Sequence, residues 1–248
     1  MTYKKTLLIV LALIPVICFS CNSDEGSAQK PPSDSLNKIM PLGASRVEGD
    51  RPEFESYRYE LWKLLIDGNW DFDYIGTMTD RSTYPQYEGM PFDPDHEGRG
   101  GWTSEDILDN ISDWLAVADD PDIVLFSSPG GNDILNGDVS LSEVMENVKQ
   151  IIEILRNENP NVTIVIELLA PGRTDFMTQE FTEAFEGVRA QTIRLADEES
   201  TENSKILTVD MLAQFNDDLL ADEVHYNEAG AQFIADRYYD VLKTILKR

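Results

Sequence analysis

The sequence has 248 residues, of which 42% are hydrophobic and 27% are charged, a composition that can bury one full core and that excludes a disordered chain. Asp and Glu number 46 against 20 Lys and Arg, which gives a formal net charge of -26. Such a surface repels the phosphate backbone of DNA and RNA, so we expect no nucleic acid among the partners of this protein.

The start of the chain has the pattern of a signal peptide. Lys4 and Lys5 precede an apolar run over residues 7–19, which is shorter than the stretch that comfortably spans a bilayer. Cys21 follows in a context that resembles a bacterial lipobox, where a cysteine becomes lipidated after cleavage. We therefore predict a lipoprotein signal peptide over residues 1–20. The protein would be exported and anchored to a membrane of the bacterial cell envelope, at the outer membrane or the cell surface, by a lipid on Cys21. An ordinary signal peptide cleaved nearby is the alternative.

A flexible tether is predicted over residues 21–36. This segment contains few apolar side chains and includes two consecutive prolines, Pro31 and Pro32, and a chain of that length has an end-to-end distance of about 20 Å. Residues 37–248 have the length of one domain. Because Cys18 and Cys21 are the two cysteines of the sequence, this domain offers no thiol nucleophile and no disulfide.

Short apolar runs alternate with helical periodicity along the domain. Strands are predicted at residues 38–42, 72–77, 122–127, 162–168 and 206–209. Helices are predicted at 57–66, 141–155, 178–195 and 228–246. A further helix is predicted to begin after Thr103, where Thr103 is the N-cap and Asp106 completes a capping box. Apolar strands separated by helices are typical of an α/β protein. We therefore predict a three-layer α/β/α sandwich with a five-stranded parallel sheet.

In such a sandwich, ligands bind beyond the carboxyl ends of the strands. Ser45 follows the first predicted strand between two glycines, and Asn132 follows the third in the run Gly-Gly-Asn-Asp. Taken singly, each run is equally typical of a turn or a helix cap. Asp222 stands three residues before His225, a spacing that lets the carboxylate accept from one ring nitrogen and fix the tautomer.

Together these runs resemble the SGNH (GDSL-like) hydrolase superfamily. The counterparts of its sequence blocks are residues 39–45 (IMPLGAS), 96–103 (HEGRGGWT), 130–133 (GGND) and 222–225 (DEVH). The resemblance is closest to the branch of carbohydrate esterase family 3 acetylxylan esterases, which have similar runs also at 56–58 (SYR) and 73–76 (DYIG). It implies a flavodoxin-like SGNH hydrolase fold.

The resemblance also implies a role for each of these residues. Ser45 would be the nucleophile, His225 the base and Asp222 the residue that orients the imidazole. The backbone N–H groups of Ser45 and Gly101 and the side chain of Asn132 would form the oxyanion hole. Trp102 and His96 are the candidates for contact with the substrate. Ala44 stands where the family usually has Asp, and this departure keeps a non-catalytic, glycan-binding role open.

The predicted function is hydrolysis of short acyl esters, above all O-acetyl groups on a polysaccharide such as xylan. Tyr84, Tyr87 and Phe92 lie scattered among charges and prolines in the loop over residues 78–99, which suits sugar rings better than a long acyl chain. Packing of these aromatic side chains as local core is equally consistent with the sequence. An arylesterase, lysophospholipase or thioesterase of the same superfamily is the alternative. The domain at residues 37–248 has two histidines and no CxxC or HExxH motif, so we expect no metal or other cofactor. We expect a monomer.

Overall fold

The structure, a computed structural model, describes residues 33–137 and 139–248. This part of the chain contains seven strands and seven α-helices. The strands are β1 Lys38–Gly43, β2 Asp73–Tyr74, β3 Met78–Thr79, β4 Asp95–Gly98, β5 Ile123–Phe126, β6 Thr163–Leu168 and β7 Ile206–Asp210. The helices are α1 Ser45–Glu48, α2 Arg58–Asp67, α3 Ser104–Leu115, α4 Gly131–Asn136, α5 Leu141–Glu158, α6 Gln179–Glu199 and α7 Glu228–Leu242.

One mixed sheet forms the centre of the molecule, in the order β3-β4-β1-β5-β6-β7. Strands β1, β5, β6 and β7 are parallel to one another. On the other side of β1, the short β2 pairs in parallel with its beginning and β4 pairs in parallel with its end, while β3 runs antiparallel to β4. The carboxyl ends of the parallel strands therefore lie side by side along one end of the sheet. We call this end of the sheet the catalytic edge, because the predicted nucleophile Ser45 follows the end of β1.

Helices cover both faces of this sheet, which confirms the predicted three-layer α/β/α sandwich. On one face, side chains of α3, α5 and α6 pack against strand residues such as Met40, Val124 and Ile164. On the other face, α2 and α7 pack against Ile39, Leu125 and other strand residues. Since strand side chains point alternately to the two faces, strands buried on both sides read as continuous apolar runs.

The predicted strand count is too low. The structure has seven strands where the sequence predicts five, because β3 and β4 carry no strand signal of their own. β4 reads Asp-His-Glu-Gly, residue types that are mostly depleted in strands, and it forms because Glu97 and Gly98 align with the end of β1. The strand predicted at 72–77 is confined to Asp73–Tyr74.

The predicted start of α3 is confirmed in detail. The Thr103 hydroxyl accepts from the Asp106 N–H, and the Asp106 carboxylate accepts from the Thr103 N–H. These two bonds satisfy donors that the first turn of a helix otherwise leaves without a partner. The second bonded capping box, at Ser140 and Glu143, starts α5 in the same way.

Both ends of the described domain lie at the edge of the sheet opposite the catalytic edge. The Asn37 side chain, just before β1, accepts from the Lys247 N–H at 2.7 Å and donates to the Lys247 carbonyl at 3.0 Å. Ser33 donates its N–H to Asp119, shortly before β5. The predicted signal peptide, Cys21 and most of the tether lie outside the described residues. Within residues 33–137 and 139–248, no helix is long and apolar enough to cross a membrane.

Candidate active site

The turn after β1 presents the Ser45 hydroxyl at the catalytic edge. A Cβ at Gly43 would lie 2.9 Å from the Ser127 carbonyl oxygen of the neighbouring strand end and 2.9 Å from a Val47 methyl group. Glycine is therefore required for the chain to turn here. Ser45 is the first residue of the single-turn helix α1 and is half-buried, so its side chain faces the crevice and not the core.

Ser45, His225 and Asp222 form a continuous hydrogen-bonded chain. His225 Nε2 lies 2.9 Å from Ser45 Oγ, and His225 Nδ1 lies 2.7 Å from Asp222 Oδ2. An ionised carboxylate can only accept, so Nδ1 carries the proton and Nε2 is left to accept from the serine hydroxyl. This is the tautomer in which an imidazole can remove the proton of the serine.

The pKa of Asp222 is held below its ordinary value. Burial opposes ionisation, but the backbone N–H groups of His225 and Val224 donate to Asp222 Oδ1 at 2.7 and 2.8 Å, and the imidazole bond adds to them. Hydrogen bonds to the charged form lower the pKa of a carboxyl group. The tight turn from 222 to 225 thus keeps the carboxylate ionised and aimed at the ring.

Phe54 completes the surroundings of the imidazole, and no sequence motif indicates it. Its ring stacks on the His225 ring with centroids 3.9 Å apart and 17° between the planes. The neighbouring Glu55 donates its N–H to the Tyr226 carbonyl at 2.8 Å, which ties this segment to the chain next to His225. The stack restricts rotation of the imidazole about its side-chain bonds.

Asn132, at the start of α4, points its carboxamide toward the same crevice. Its Nδ2 donates to the Trp102 carbonyl at 2.8 Å; this bond uses one of the two N–H donors of the amide. Gly101 is exposed and has a φ of +80°, a conformation that glycine adopts without strain. Gly100 donates its N–H to the Glu48 side chain, which holds the loop carrying Gly101 beside α1.

The structure places the two candidate substrate-contact residues differently. Trp102 is half-buried, with its ring 5.3 Å from that of Trp114 and the Arg99 guanidinium over its face. His96 is 1% exposed within β4, and its Nδ1 accepts from the Gly98 N–H at 2.9 Å. His96 also lines a recess that opens beside Ser45, so it stays a candidate for substrate contact, while the Trp102 carbonyl orients Asn132.

Two recesses of different character open on either side of Ser45. One is a cavity of about 40 Å3 whose wall is more apolar than polar; it is lined by Ala44, Ser45, Arg46, Ser128, Gly131, Asn132, Leu135, Leu169, Phe185 and Val224. The other has a volume of about 270 Å3 and a more polar wall; it is lined by Glu48, Asp50, Phe54, Asp80, Arg81, Ser82 and His96, among others. A small apolar group and a larger hydroxylated group can thus meet at the same serine.

No group of three or more His, Cys, Asp and Glu side chains is placed to hold a metal ion among the residues that the structure describes. The groups that could act chemically at the crevice are the serine hydroxyl, the imidazole, the carboxylate and the amide donors described above. This set is suited to acyl transfer.

The α/β/α sandwich and the bonded serine, histidine and aspartate define an ester hydrolase. The chain belongs to the GDSL-like lipase/acylhydrolase family, whose model matches residues 77–233. A comparison with curated protein sequences gave no match.

Solved structures of carbohydrate esterases resemble the chain along most of its length. A carbohydrate esterase of family 3 from Talaromyces cellulolyticus is 28% identical, with a TM-score of 0.73 over 85% of this chain and 98% of that one. A family 3 carbohydrate esterase from Clostridium thermocellum is 30% identical, with a TM-score of 0.64 over 85% and 99% of the two chains. An acetyl esterase mutant with an acetate ion is 27% identical, with a TM-score of 0.73 over 85% and 98%. The predicted resemblance to the SGNH superfamily and its family 3 branch is confirmed.

Proposed function

We propose that this protein is a serine esterase that removes acetyl and other short acyl groups from a polysaccharide such as xylan. The observation that carries the proposal is the hydrogen-bonded chain from Ser45 Oγ through His225 to Asp222 at the catalytic edge. The likeness to acetyl and family 3 carbohydrate esterases supports the choice of substrate.

The reaction would proceed in two acyl transfers. His225 Nε2 takes the proton of Ser45 as the serine oxygen attacks the ester carbonyl carbon. The tetrahedral intermediate collapses, the bond to the alcohol oxygen breaks, and the protonated imidazole gives its proton to the leaving sugar hydroxyl. Water then attacks the acyl-enzyme with His225 again as base, which releases the carboxylic acid and restores Ser45. Asp222 stabilises the imidazolium that forms in each half of the reaction.

Negative charge develops on the carbonyl oxygen during both attacks. The backbone N–H groups of Ser45 and Gly101 and the second N–H of Asn132 are the donors that we assign to it. Because the Trp102 carbonyl holds the amide and the Glu48 side chain holds the Gly100 N–H, these donors are fixed before substrate arrives. Such fixed donors need no reorganisation when the charge appears.

The two recesses support a short acyl group on a polar alcohol. The apolar cavity of about 40 Å3 is far smaller than the roughly 300–1,000 Å3 of sites for drug-sized ligands, so it suits a methyl group and not a long chain. The wider polar recess offers carboxylates, a guanidinium group and the edge of Phe54 to a sugar ring. A lipase would need the opposite arrangement, with its large recess apolar.

Acetate release from acetylated xylan tests the proposal directly. The protein, produced from Asn22 onward, and its Ser45→Ala variant would be assayed on acetylated xylan. The same two proteins would be assayed on aryl esters with short and long acyl chains. We expect acetate release and short-chain ester cleavage in the parent, and a loss of several orders of magnitude in Ser45→Ala. The matched control is Ser142→Ala, since Ser142 is exposed on α5 and the same atom is removed.

Three results would contradict the proposal in different ways. Cleavage of long-chain esters as fast as acetyl esters would favour a lysophospholipase or thioesterase. Cleavage of aryl esters without acetate release from xylan would keep the serine mechanism and refute the carbohydrate substrate. Binding of xylan without cleavage of any ester would show a glycan-binding protein and point to Ala44 as the cause.

A further inference from the structure

The side chain that follows the nucleophile, Arg46, is buried and connects three loops. It is 8% exposed. Its Nε donates to the Val224 carbonyl at 2.9 Å, its Nη1 to the Ala170 carbonyl at 3.0 Å, and its Nη2 to the Pro171 carbonyl at 3.2 Å. Val224 immediately precedes His225, so the residue next to the nucleophile is bonded directly to the backbone next to the base.

Behind Arg46 lies a second buried ionisable group that the mechanism does not use. Glu167, on β6, is 0% exposed. Its Oε2 accepts from the Ser128 N–H at 2.8 Å and from the Ser128 hydroxyl at 3.0 Å, while Arg46 Nη1 lies 3.5 Å from the same hydroxyl oxygen. Ser128 thus stands between the guanidinium and the carboxyl group, in the loop that leaves β5.

The backbone at Ser128 shows that this arrangement is enforced. Its φ is +47°, in the left-handed region that is strained for a residue other than glycine. This conformation directs both the N–H and the hydroxyl of Ser128 at Glu167. A strained residue of this kind persists where its surroundings fix it, and such residues cluster at functional sites.

The positive charge of Arg46 favours the ionised form of the Glu167 carboxyl group. Burial raises the pKa of Glu167, and the positive charge of Arg46 acts against that rise. The Arg46 guanidinium also lies over the Tyr226 ring, 4.8 Å from its centroid. Arg46 therefore contacts both sequence neighbours of His225, Val224 and Tyr226. A buried cation without a compensating group is strongly destabilising, so the pair has to be considered together.

We propose that Arg46 is a positioning residue for the proposed esterase reaction, which locks the His225 loop to the nucleophile turn while the buried Glu167 and Ser128 hold the guanidinium in place. Arg46 touches no reacting atom in this role. It fixes the distance between Ser45 and His225 through the backbone just before His225, while Phe54 restrains the imidazole ring itself. The inference rests on the proposed function for its kinetic consequences, although its structural consequence can be measured without them.

Arg46→Met and Arg46→Lys test the proposal in the full chain. Methionine keeps much of the volume and removes every donor, whereas lysine keeps the charge and loses the planar fork. We expect kcat to fall about 100-fold in Arg46→Met, because a misplacement of about 1 Å can cost that factor. A change in KM reports instead on the wall of the small cavity, which Arg46 also lines. Arg46→Lys should lie between the parent and Arg46→Met.

Two further measurements do not depend on esterase activity. Backbone amide exchange over residues 220–226 should be faster in Arg46→Met than in the parent, since the Val224 carbonyl has lost its donor. Labelling of Ser45 by a fluorophosphonate should be slower, because the reaction requires His225 Nε2 within hydrogen-bond distance of Ser45 Oγ. Arg156→Met is the matched control: Arg156 donates to Ser204 and to the Glu199 carbonyl near the opposite edge of the sheet, and its loss should leave all three readouts unchanged.

Glu167→Gln alone and in combination with Arg46→Met tests the pairing. We expect the fall in kcat of the double variant to be smaller than the product of the two separate falls, because the Glu167 carboxyl group acts on the site through Arg46. Multiplicative effects would overturn the pairing. Unchanged exchange at 220–226 together with an unchanged kcat in Arg46→Met would overturn the positioning role. If the parent cleaves no ester at all, the proposed function fails, and exchange and labelling still decide whether Arg46 positions His225.

Discussion

Asn132 shows how one backbone carbonyl can make a flexible side chain into a fixed donor. The amide is held by the Trp102 carbonyl at 2.8 Å, and in the proposed mechanism its second N–H donates to the substrate oxygen. Loss of one oxyanion donor typically costs about 2.7–4 kcal/mol of barrier, or 10²–10³-fold in kcat. We expect Asn132→Ala to lower kcat by that factor on acetyl esters, with a small change in KM.

Asn110→Ala is the control for this prediction. Asn110 also donates from its Nδ2 to a backbone carbonyl, that of Asp106, but on the exposed surface of α3. Steady-state kinetics with one short-chain aryl ester measures both variants. An increase in KM with kcat unchanged in Asn132→Ala would show that Asn132 binds the substrate and the transition state equally, and not the oxyanion in particular.

Prediction from sequence at this scale depended on whether a residue belongs to a local pattern. Asp222 and His225 are three apart, so their contact follows from a turn that the sequence nearly specifies. Phe54 and Arg46 could not be found in that way. Phe54 reaches His225 from the connection between α1 and α2, and Arg46 reaches Val224 across 178 positions of sequence, so both contacts exist only after the sheet has brought the loops together.

At the scale of elements, the long periodic segments were predictable and the short ones were not. The helix predicted at 141–155 is observed as Leu141–Glu158, and the strand predicted at 162–168 as Thr163–Leu168. The single-turn helix α1 and the six-residue helix α4 are too short to show a period. They form because packing against the catalytic edge favours them, and they carry Ser45 and Asn132.

Asp93 links the loop before β4 to the short strand β2, and it makes the free energy of unfolding depend on pH. Its Oδ2 accepts from the Tyr74 N–H at 2.7 Å and its Oδ1 from the Asp95 N–H at 3.3 Å. Burial, with the neighbouring carboxylates of Asp73 and Asp95, raises the pKa of Asp93 to about 7. In the unfolded chain the pKa of Asp is about 3.9, so between about pH 4 and pH 7 the folded state binds the additional proton.

The free energy of unfolding should therefore fall as pH rises through this window. The contribution of Asp93 is complete below about pH 4 and is lost as pH passes about 7. We expect Asp93→Asn to remove this part of the slope, because the carboxamide stays neutral and its oxygen can still accept from Tyr74. Denaturant unfolding at several pH values measures the difference between parent and variant. A parallel pair of curves would show that Asp93 is ionised in the folded protein throughout.

The whole molecule is dominated by its formal net charge of -26. Repulsion among so many like charges destabilises the compact state, and salt screens it. From about 0.01 M to about 1 M ionic strength the Debye length shrinks from about 30 Å to about 3 Å. We expect the midpoint of thermal unfolding to rise over this range of sodium chloride.

Choline chloride at the same ionic strengths is the control. Screening depends on ionic strength alone, so both salts should raise the midpoint equally. A rise with sodium only would indicate a specific cation site, and a fall with both would show that attractive ion pairs outweigh the repulsion. Scanning calorimetry or circular dichroism supplies the midpoints.

The contact between Asn37 and Lys247 places both ends of the described domain on the side of the molecule away from the crevice. Both described ends of the domain lie where β1 begins, and Ser45 follows where β1 ends, six residues or about 20 Å further on. A resin, a sensor chip or a display scaffold joined to either end would therefore present the crevice to the surrounding solution. If Cys21 is lipidated as proposed, the same geometry would turn the crevice away from the lipid and toward an extended polymer that cannot enter the envelope.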